Sequence, residues 1–186
     1  SIDNMRSYRG LHSLHVHDNA FAAGATSDVR LSETMTLAGT QPADLWLRAY
    51  MYVPAAATNP VQLMTSVQSV SPYLGIGINM DSGDFASYDS VATGLYLKSS
   101  TSVPLNRWFC VQWHAHLAAT ATGYEQLFLD GQELTAVHGS EATEPSPALS
   151  VISIGTSFYN PPAAGAAYDL WIDEVAIGTS MIQCSD

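Results

Sequence analysis

The sequence predicts an all-β protein, folded as a two-sheet antiparallel β-sandwich in one domain over residues 1–186. No stretch of about twelve residues repeats apolar side chains at helical spacing behind a capping residue. Apolar and polar side chains alternate instead, and clusters of Gly, Pro and Asn separate the alternating segments. A sandwich is favoured over a barrel because most predicted strands have one apolar face and one mixed face.

Four strands are predicted in the first hundred residues of the chain. Residues 10–18 alternate, with His12 on the same side as two aliphatic residues. Residues 73–80 and 94–100 form two shorter strands between turn-forming residues. On the strand at 44–54, the apolar face is Leu45, Leu47, Ala49, Met51 and Val53, and the mixed face is Trp46, Arg48, Tyr50 and Tyr52.

The C-terminal half contains one predicted hairpin and three further strands. The hairpin spans residues 124–137 and turns at an Asp-Gly pair, a combination typical of a type I′ turn. Residues 149–155 and 168–178 alternate as the last two strands. On the strand at 108–117, the apolar face is Phe109, Val111, Trp113, Ala115 and Leu117, and the mixed face is Trp108, Cys110, Gln112, His114 and His116.

The charge of the chain excludes two classes of partner. The formal net charge is −11, from six Lys+Arg against 17 Asp+Glu, and Lys98 is the single lysine. A nucleic-acid-binding protein needs a cationic surface that releases counterions from phosphates, so we expect no nucleic-acid partner. Anionic membrane surfaces are disfavoured for the same reason, and no run of 18 apolar residues predicts membrane insertion.

Cys110 and Cys184 are the two cysteines, and their number alone fits either a bridge or two separate thiols. A bridge would close a loop of roughly 75 residues and stabilise the fold by up to about 4 kcal/mol in the chain-entropy model. We expect the bridge, because the composition resembles that of secreted domains. The abrupt start of the sequence adds the expectation that this is one module of a larger extracellular or cell-surface protein.

Three segments resemble the laminin-G-like and concanavalin A-like lectin/glucanase superfamily. Residues 108–131 combine a strand that opens on Trp with a second strand, LFLDG, that ends in an Asp-Gly turn. The opening RGLHSLHV and the ending YDLWIDEVAI resemble the first and last strands of that group. The ending is also similar to that of galactose-binding-like carbohydrate modules. The resemblance implies a jelly roll with a concave, glycan-binding sheet and neighbouring first and last strands, which would bring Cys184 near Cys110.

We therefore predict a secreted carbohydrate-binding module that recognises a polysaccharide on its concave face. Aromatic rings stack on sugar rings, while Arg, Gln and His donate or accept hydrogen bonds. One alternative is an outer surface on which these side chains are simply half-exposed, because strands favour Tyr and Trp. Another is a non-catalytic adhesion module that contacts protein. The predicted carbohydrate-binding residues are Arg48, Tyr50, Tyr52, Tyr96, Lys98, Gln112, His114 and His116.

A polysaccharide lyase is the enzymatic alternative, because residues 112–114 resemble the Gln-x-His motif of jelly-roll alginate lyases. Neutralising the carboxylate of a uronic acid makes its C5 proton more acidic, and histidine is a suitable base near neutral pH. The chain departs from that family because YLKSS precedes the motif and no Tyr-x-Lys-x-Gly-x-Tyr follows it. The implied catalytic residues are Gln112 and Arg48 on the carboxylate, His114 as the base, and Tyr50 or Tyr96 as the acid.

Glycoside hydrolysis and zinc binding have weaker support. The Glu-x-Asp-x-x-Glu string of the superfamily's glucanases does not occur, and the adjacent Asp173 and Glu174 point to opposite faces of a strand. Histidines recur at close spacing within 12–17 and 114–116, but no Cys-His array completes a zinc ligand set.

Structural calcium is the cofactor that we predict. Asp173 resembles the calcium ligand of carbohydrate-module sandwiches. Asp18 and Asn19 would add hard oxygen ligands if the first and last strands are neighbours. The alternative is that Asp173 caps a loop by accepting backbone N–H groups.

Overall fold

The computed structural model describes residues 1–34, 42–70, 73–91, 94–140, 143 and 151–184. Within these ranges the regular structure consists of strands and one 3₁₀ turn, Thr135–Val137, and there is no helix with the length and hydropathy of a membrane span. The strands are β1 (Ile2–Asp3), β2 (Ser13–Asp18), β3 (Ser27–Thr34), β4 (Asp44–Tyr52), β5 (Val61–Val70), β6 (Tyr73–Asp81), β7 (Asp84–Asp89), β8 (Leu95–Ser102), β9 (Trp108–His116), β10 (Tyr124–Leu129), β11 (Gln132–Glu133), β12 (Gly139–Ser140), β13 (Val151–Phe158) and β14 (Tyr168–Gly178).

The strands form two antiparallel sheets, which confirms the predicted all-β sandwich. The first sheet has the order β1-β2-β14-β4-β9-β10-β11, with β12 paired to β10. The second sheet has the order β3-β13-β5-β6-β7-β8. The predicted closeness of the first and last strands is also confirmed, because β2 and β14 pair directly.

The core lies between the sheets and is built by the predicted apolar faces. On β4 and β9, alternate side chains point inward, and Met51, Phe109 and Trp113 are at most 1% exposed. The second sheet contributes Ile76 and Ile78, both fully buried. This packing fixes which way the remaining side chains of β4 and β9 point, and therefore defines the outer face of the first sheet.

Each predicted strand is present in the structure, with differences of one to three residues in most bounds. The Asp-Gly turn between β10 and β11 has both residues at positive φ, 49° for Asp130 and 82° for Gly131, as a type I′ turn requires. Strand β2 begins three residues later than predicted, and residues 149 and 150 of the predicted 149–155 strand lie outside the described residues. The longer strands β3, β5 and β7 and the two-residue strands β1 and β12 were not predicted.

Candidate functional site

The outer face of the first sheet brings together the side chains predicted to bind a carboxylate. Strands β4 and β9 pair along their whole length, with Arg48 opposite Gln112 and Trp46 opposite His114. Opposed residues in an antiparallel pair share a face, so Arg48, Gln112 and His114 lie side by side. Whether a ligand can reach them depends on what covers this face.

Tyr96 and Lys98 do not belong to this face. They lie on β8, at the edge of the second sheet, where the Tyr96 hydroxyl donates to Asp81 at 3.1 Å and Lys98 Nζ lies 3.8 Å from the same carboxylate. Burial and the charge of Asp81 raise the pKa of Tyr96 to about 12. The prediction that these two residues share one surface with Arg48 is wrong, because the chain crosses to the other sheet before β8.

An N-terminal segment, residues 5–12, covers the centre of the face. The ring of Tyr8 stacks on Tyr50 with centroids 3.6 Å apart, and the guanidinium of Arg6 lies 3.9 Å above the ring of Tyr52. The backbone N–H groups of Tyr8 and Arg9 donate to one carboxylate, that of the outward-facing aspartate on β14. Tyr50 is only 4% exposed as a result, so its predicted contact with a sugar is wrong in this arrangement.

A C-terminal segment, residues 179–184, covers the adjacent part of the face. The predicted disulfide between Cys110 and Cys184 is confirmed and anchors this segment to β9. Next to it, the side-chain amide of Gln112 donates to the carbonyl oxygen of Ile182 at 2.7 Å. Gln112 is fully buried, so the prediction that it faces solvent is wrong. We refer to the N-terminal and C-terminal segments together as the terminal cover.

His114 is held by hydrogen bonds at both ring nitrogens. Its Nδ1 lies 2.8 Å from Oε1 of Gln126, and its Nε2 lies 2.8 Å from Oδ1 of Asp44. Trp46 stacks on the ring at 4.1 Å between centroids, and the residue is 5% exposed. The predicted solvent-facing position is therefore wrong. Without rearrangement, neither ring nitrogen is available to accept a proton from a substrate.

The carboxylate of Asp44 is hydrogen-bonded to both histidines of β9. Nδ1 of His116 also approaches its Oδ1, at 3.0 Å. Burial raises the pKa of Asp44, but the hydrogen bonds from His116 and His114 outweigh that effect, so its net pKa lies below the ordinary value. The carboxylate is thus ionised and tied to β9 at neutral pH.

The same arrangement recurs between β2 and β14. His15 Nε2 and His17 Nδ1 lie 2.8 and 2.7 Å from Oδ1 of Asp169, and the indole of Trp171 stacks on His15 at 4.2 Å. Burial raises the pKa of Asp169, but hydrogen bonds from His17 and His15 outweigh it and leave the net pKa low. Two repeats in the sequence could have indicated these paired clusters. Asp-Leu-Trp occurs at 44–46 and 169–171, and His-x-His occurs at 15–17 and 114–116.

The three predicted calcium ligands are not brought together. Asp18 points into the core, where its carboxylate accepts hydrogen bonds from the hydroxyl groups of Ser27 and Thr156. Asp173 points to the outer face and accepts the two N–H groups of the N-terminal segment, as the capping alternative describes. Asn19 follows β2 and is exposed. Calcium stays a prediction, without these residues as a joint ligand set.

One strip of the outer face lies beside the terminal cover. Tyr124 pairs across the strands with His116, and their rings stack at 5.0 Å. His138 lies 5.2 Å from Tyr124 and is exposed, while the other members are half-buried. We call this surface, formed by His116, Tyr124, Gln126, Phe128 and His138, the outer strip.

The two packed sheets and the order of their strands define a jelly-roll β-sandwich. Neither a protein-family model nor a curated protein matches the sequence. Among solved structures, "Cellulose induced protein, Cip1" superposes with a TM-score of 0.73 and 13% identity, over 100% of this chain and 87% of that one.

Two lyases superpose over most of the chain. The endo-beta-1,4-glucuronan lyase from the fungus Trichoderma reesei has a TM-score of 0.72 and 12% identity, covering 97% of this chain and 86% of its own. The PL-14 alginate lyase from Aplysia kurodai has a TM-score of 0.66 and 12% identity, covering 97% and 87%. These similarities confirm the predicted jelly-roll fold.

Proposed function

We propose that this protein is a carbohydrate-binding module that holds a polysaccharide against the outer strip. The observation that carries the proposal is the outer strip itself, a row of half-exposed aromatic and polar side chains on β9 and β10 beside the terminal cover. Relatives in fold include lyases of glucuronan and alginate, which supports a polysaccharide as the class of ligand.

The chemistry of the outer strip suits a sugar. Tyr124 and Phe128 offer aromatic carbon to the apolar face of a pyranose ring. The Nε2 atoms of His116 and His138 can bond hydroxyl groups on the ring edge, since their Nδ1 atoms are the ones that pair with Asp44 and Glu133. Gln126 lines the strip with its amide already bonded to His114 and Glu133. The proposed site is therefore centred on β10, two strands away from β4. The sequence had favoured Arg48 and Tyr50 on β4, in the part of the outer face where the terminal cover lies.

The charge of the protein favours a neutral polysaccharide over a polyuronate. The net charge of −11 repels a polyanion at long range. On the outer face, Arg48 already lies 4.0 Å from Glu174. The β-bulge between Asp173 and Ala176 turns Glu174 to the same face as Asp173, so the prediction that these adjacent residues point to opposite faces is wrong. Arg6 lies over the rings of Tyr52 and Trp171. Secretion belongs to the same proposal, since a structural disulfide persists in an oxidising compartment.

Affinity electrophoresis and a glycan array test the proposal, with neutral β-glucans and xylans beside alginate, glucuronan and pectin. We expect a neutral glycan to bind, and Tyr124→Ala to weaken that binding by about tenfold or more. The matched control is Tyr96→Ala, which removes an exposed tyrosine from the second sheet and should bind as the wild type does. Unchanged melting temperatures check that both variants fold.

Two results would overturn the proposed site. The first is the absence of binding to every glycan of the panel. The second is equal binding by Tyr124→Ala and the wild-type protein. Loss of binding in Tyr96→Ala alone would move the site to the second sheet.

A polysaccharide lyase is the second candidate, favoured by the adjacency of Arg48, Gln112 and His114 on one face. For catalysis, the C-terminal segment must leave Gln112, and His114 must release Gln126 or Asp44. We therefore expect no rise in absorbance near 235 nm from polyuronates with the intact protein. Turnover that disappears in His114→Gln would establish the lyase instead.

A further inference from the structure

The cluster of His15, His17 and Asp169 has the composition and spacing of a metal site. One ligand atom from each side chain lies within 4.8 Å of the others, and among the described residues no other group of three His, Cys, Asp or Glu satisfies this spacing. We propose that these three residues bind a divalent transition-metal ion, with zinc as the ion that fits the donors best.

The donor set selects the class of metal. Two imidazole nitrogens and one carboxylate oxygen suit zinc and its neighbours, whereas calcium takes six or more oxygen ligands. Zinc would bind each atom at about 2.0–2.2 Å, which places tetrahedral ligand atoms about 3.4 Å apart. His15 Nε2 and His17 Nδ1 now lie 2.8 and 2.7 Å from Oδ1 of Asp169, so small rotations of the side chains make room for the ion.

The sheet holds the three ligands in place before any metal arrives. His15 and His17 are two residues apart on β2 and so project from the same face. Asp169 is the direct cross-strand partner of His17 on β14. Trp171, stacked on His15 with an interplanar angle of 5°, fixes the orientation of that imidazole, as outer-shell groups do at metal sites.

The cluster is also accessible. The side chains of His15, His17 and Asp169 are 24%, 47% and 35% exposed. An ion can therefore enter from solvent, and three protein ligands leave a fourth tetrahedral position for water or another small ligand. The sequence alone disfavoured zinc because the third ligand comes from β14, more than 150 residues along the chain from β2.

The molecule contains a matched comparison in the second cluster. Asp44, His114 and His116 repeat the same pattern between β4 and β9, with Trp46 in the place of Trp171. There, however, His114 is 5% exposed, and one ligand atom from each of the three side chains cannot be chosen so that all lie within 4.8 Å of one another. His116 is therefore a control position of the same residue type in the same local motif.

Zinc binding to the intact protein, free of any histidine tag, tests the proposal. Equilibrium dialysis with metal analysis should give one zinc per chain. His17→Ala, at the most exposed ligand, should weaken binding by about 100-fold, whereas His116→Ala should leave affinity and stoichiometry unchanged. In ¹⁵N-edited spectra of the histidine rings, zinc should shift the resonances of His15 and His17.

Three results would overturn the metal site. One is the absence of saturable zinc binding at micromolar concentrations. Another is binding by His17→Ala with wild-type affinity. The third is a zinc-dependent shift confined to the rings of His114 and His116. None of these readouts depends on a glycan, so the metal site and the proposed function can fail separately.

Discussion

Removal of the Cys110–Cys184 bridge should lower the stability of the fold by an amount that the loop length sets. The two cysteines are 74 positions apart, so the bridge closes a loop of about 75 residues. The chain-entropy model then gives about 4 kcal/mol at 25 °C. For a chain of 186 residues, with an unfolding entropy of about 2.1 cal/mol/K per residue, this corresponds to a loss of about 10 °C in melting temperature.

The same substitution should release the C-terminal segment. Without the bridge, the hydrogen bond from Gln112 to Ile182 remains, and a single hydrogen bond contributes only about 1 kcal/mol. Residues 179–184 should then be digested by a carboxypeptidase in the folded protein, whereas the bridged wild type should resist beyond Cys184.

The double variant Cys110→Ala/Cys184→Ala, melted by circular dichroism and digested before mass spectrometry, measures both effects. Wild-type protein kept reduced through refolding is the control, because it lacks the bridge but keeps both sulfur atoms. A melting temperature within about 2 °C of the wild type would refute the loop-entropy reasoning. A C-terminus that resists digestion in the double variant would refute the view that the bridge anchors the segment.

Three further predictions test the packing and the electrostatics. Gly77→Ala should lower the free energy of unfolding by about 3 kcal/mol, because a Cβ there would overlap the carbonyl oxygen of Met64. Gly10→Ala, in open space at a φ of +72°, should lower it by about 1 kcal/mol. Equal losses in urea unfolding would refute this reasoning. Asp44→Asn should lower the melting temperature near pH 7. Because the folded pKa lies below the ordinary 3.8, that difference should persist above pH 3.8 and vanish as the pH falls through the folded pKa; a difference independent of pH contradicts the assignment. Asp173→Ala should lower the free energy of unfolding by about 1–3 kcal/mol, equally with and without EDTA, because it removes the acceptor of two backbone N–H groups. A loss of stability that disappears in EDTA would instead indicate that Asp173 binds calcium.

The alternation of side chains predicted most of the fold for two reasons. Strands β8, β10 and β14 alternate in burial, whereas β4 and β9 are buried on both faces and alternate only in residue type, with apolar side chains toward the core. Strand β5 escaped prediction because it is bulged: its pairing with β6 shifts between Gln62 and Met64, and the consecutive Leu63 and Met64 are both buried. Strand β7 escaped because its buried positions include the small Ala86 and Ser87, which carry little periodic signal.

The candidate site was predicted less well than the fold. The sequence placed Arg48 and Gln112 on one face, since their neighbours on β4 and β9 are apolar. It did not reveal the terminal cover, because residues 5–9 and 179–184 have no periodicity, and residues 10–12 were assigned to a strand that begins only at Ser13. Their positions depend on tertiary contacts, namely the disulfide and the carboxylate of Asp173.

The terminal cover divides the outer face into two separate halves. A linear polymer cannot lie flat from one edge of the sheet to the other, because the stacked Tyr8 and Tyr50 and the bridged C-terminus stand in its path. A saccharide seated on the β10 side must stop, or turn away from the protein, near Gln112. For the proposed glycan ligand, a chain that crosses the strands could therefore contact the outer face over only a few sugar units, so a short oligosaccharide should compete with it as well as a long one.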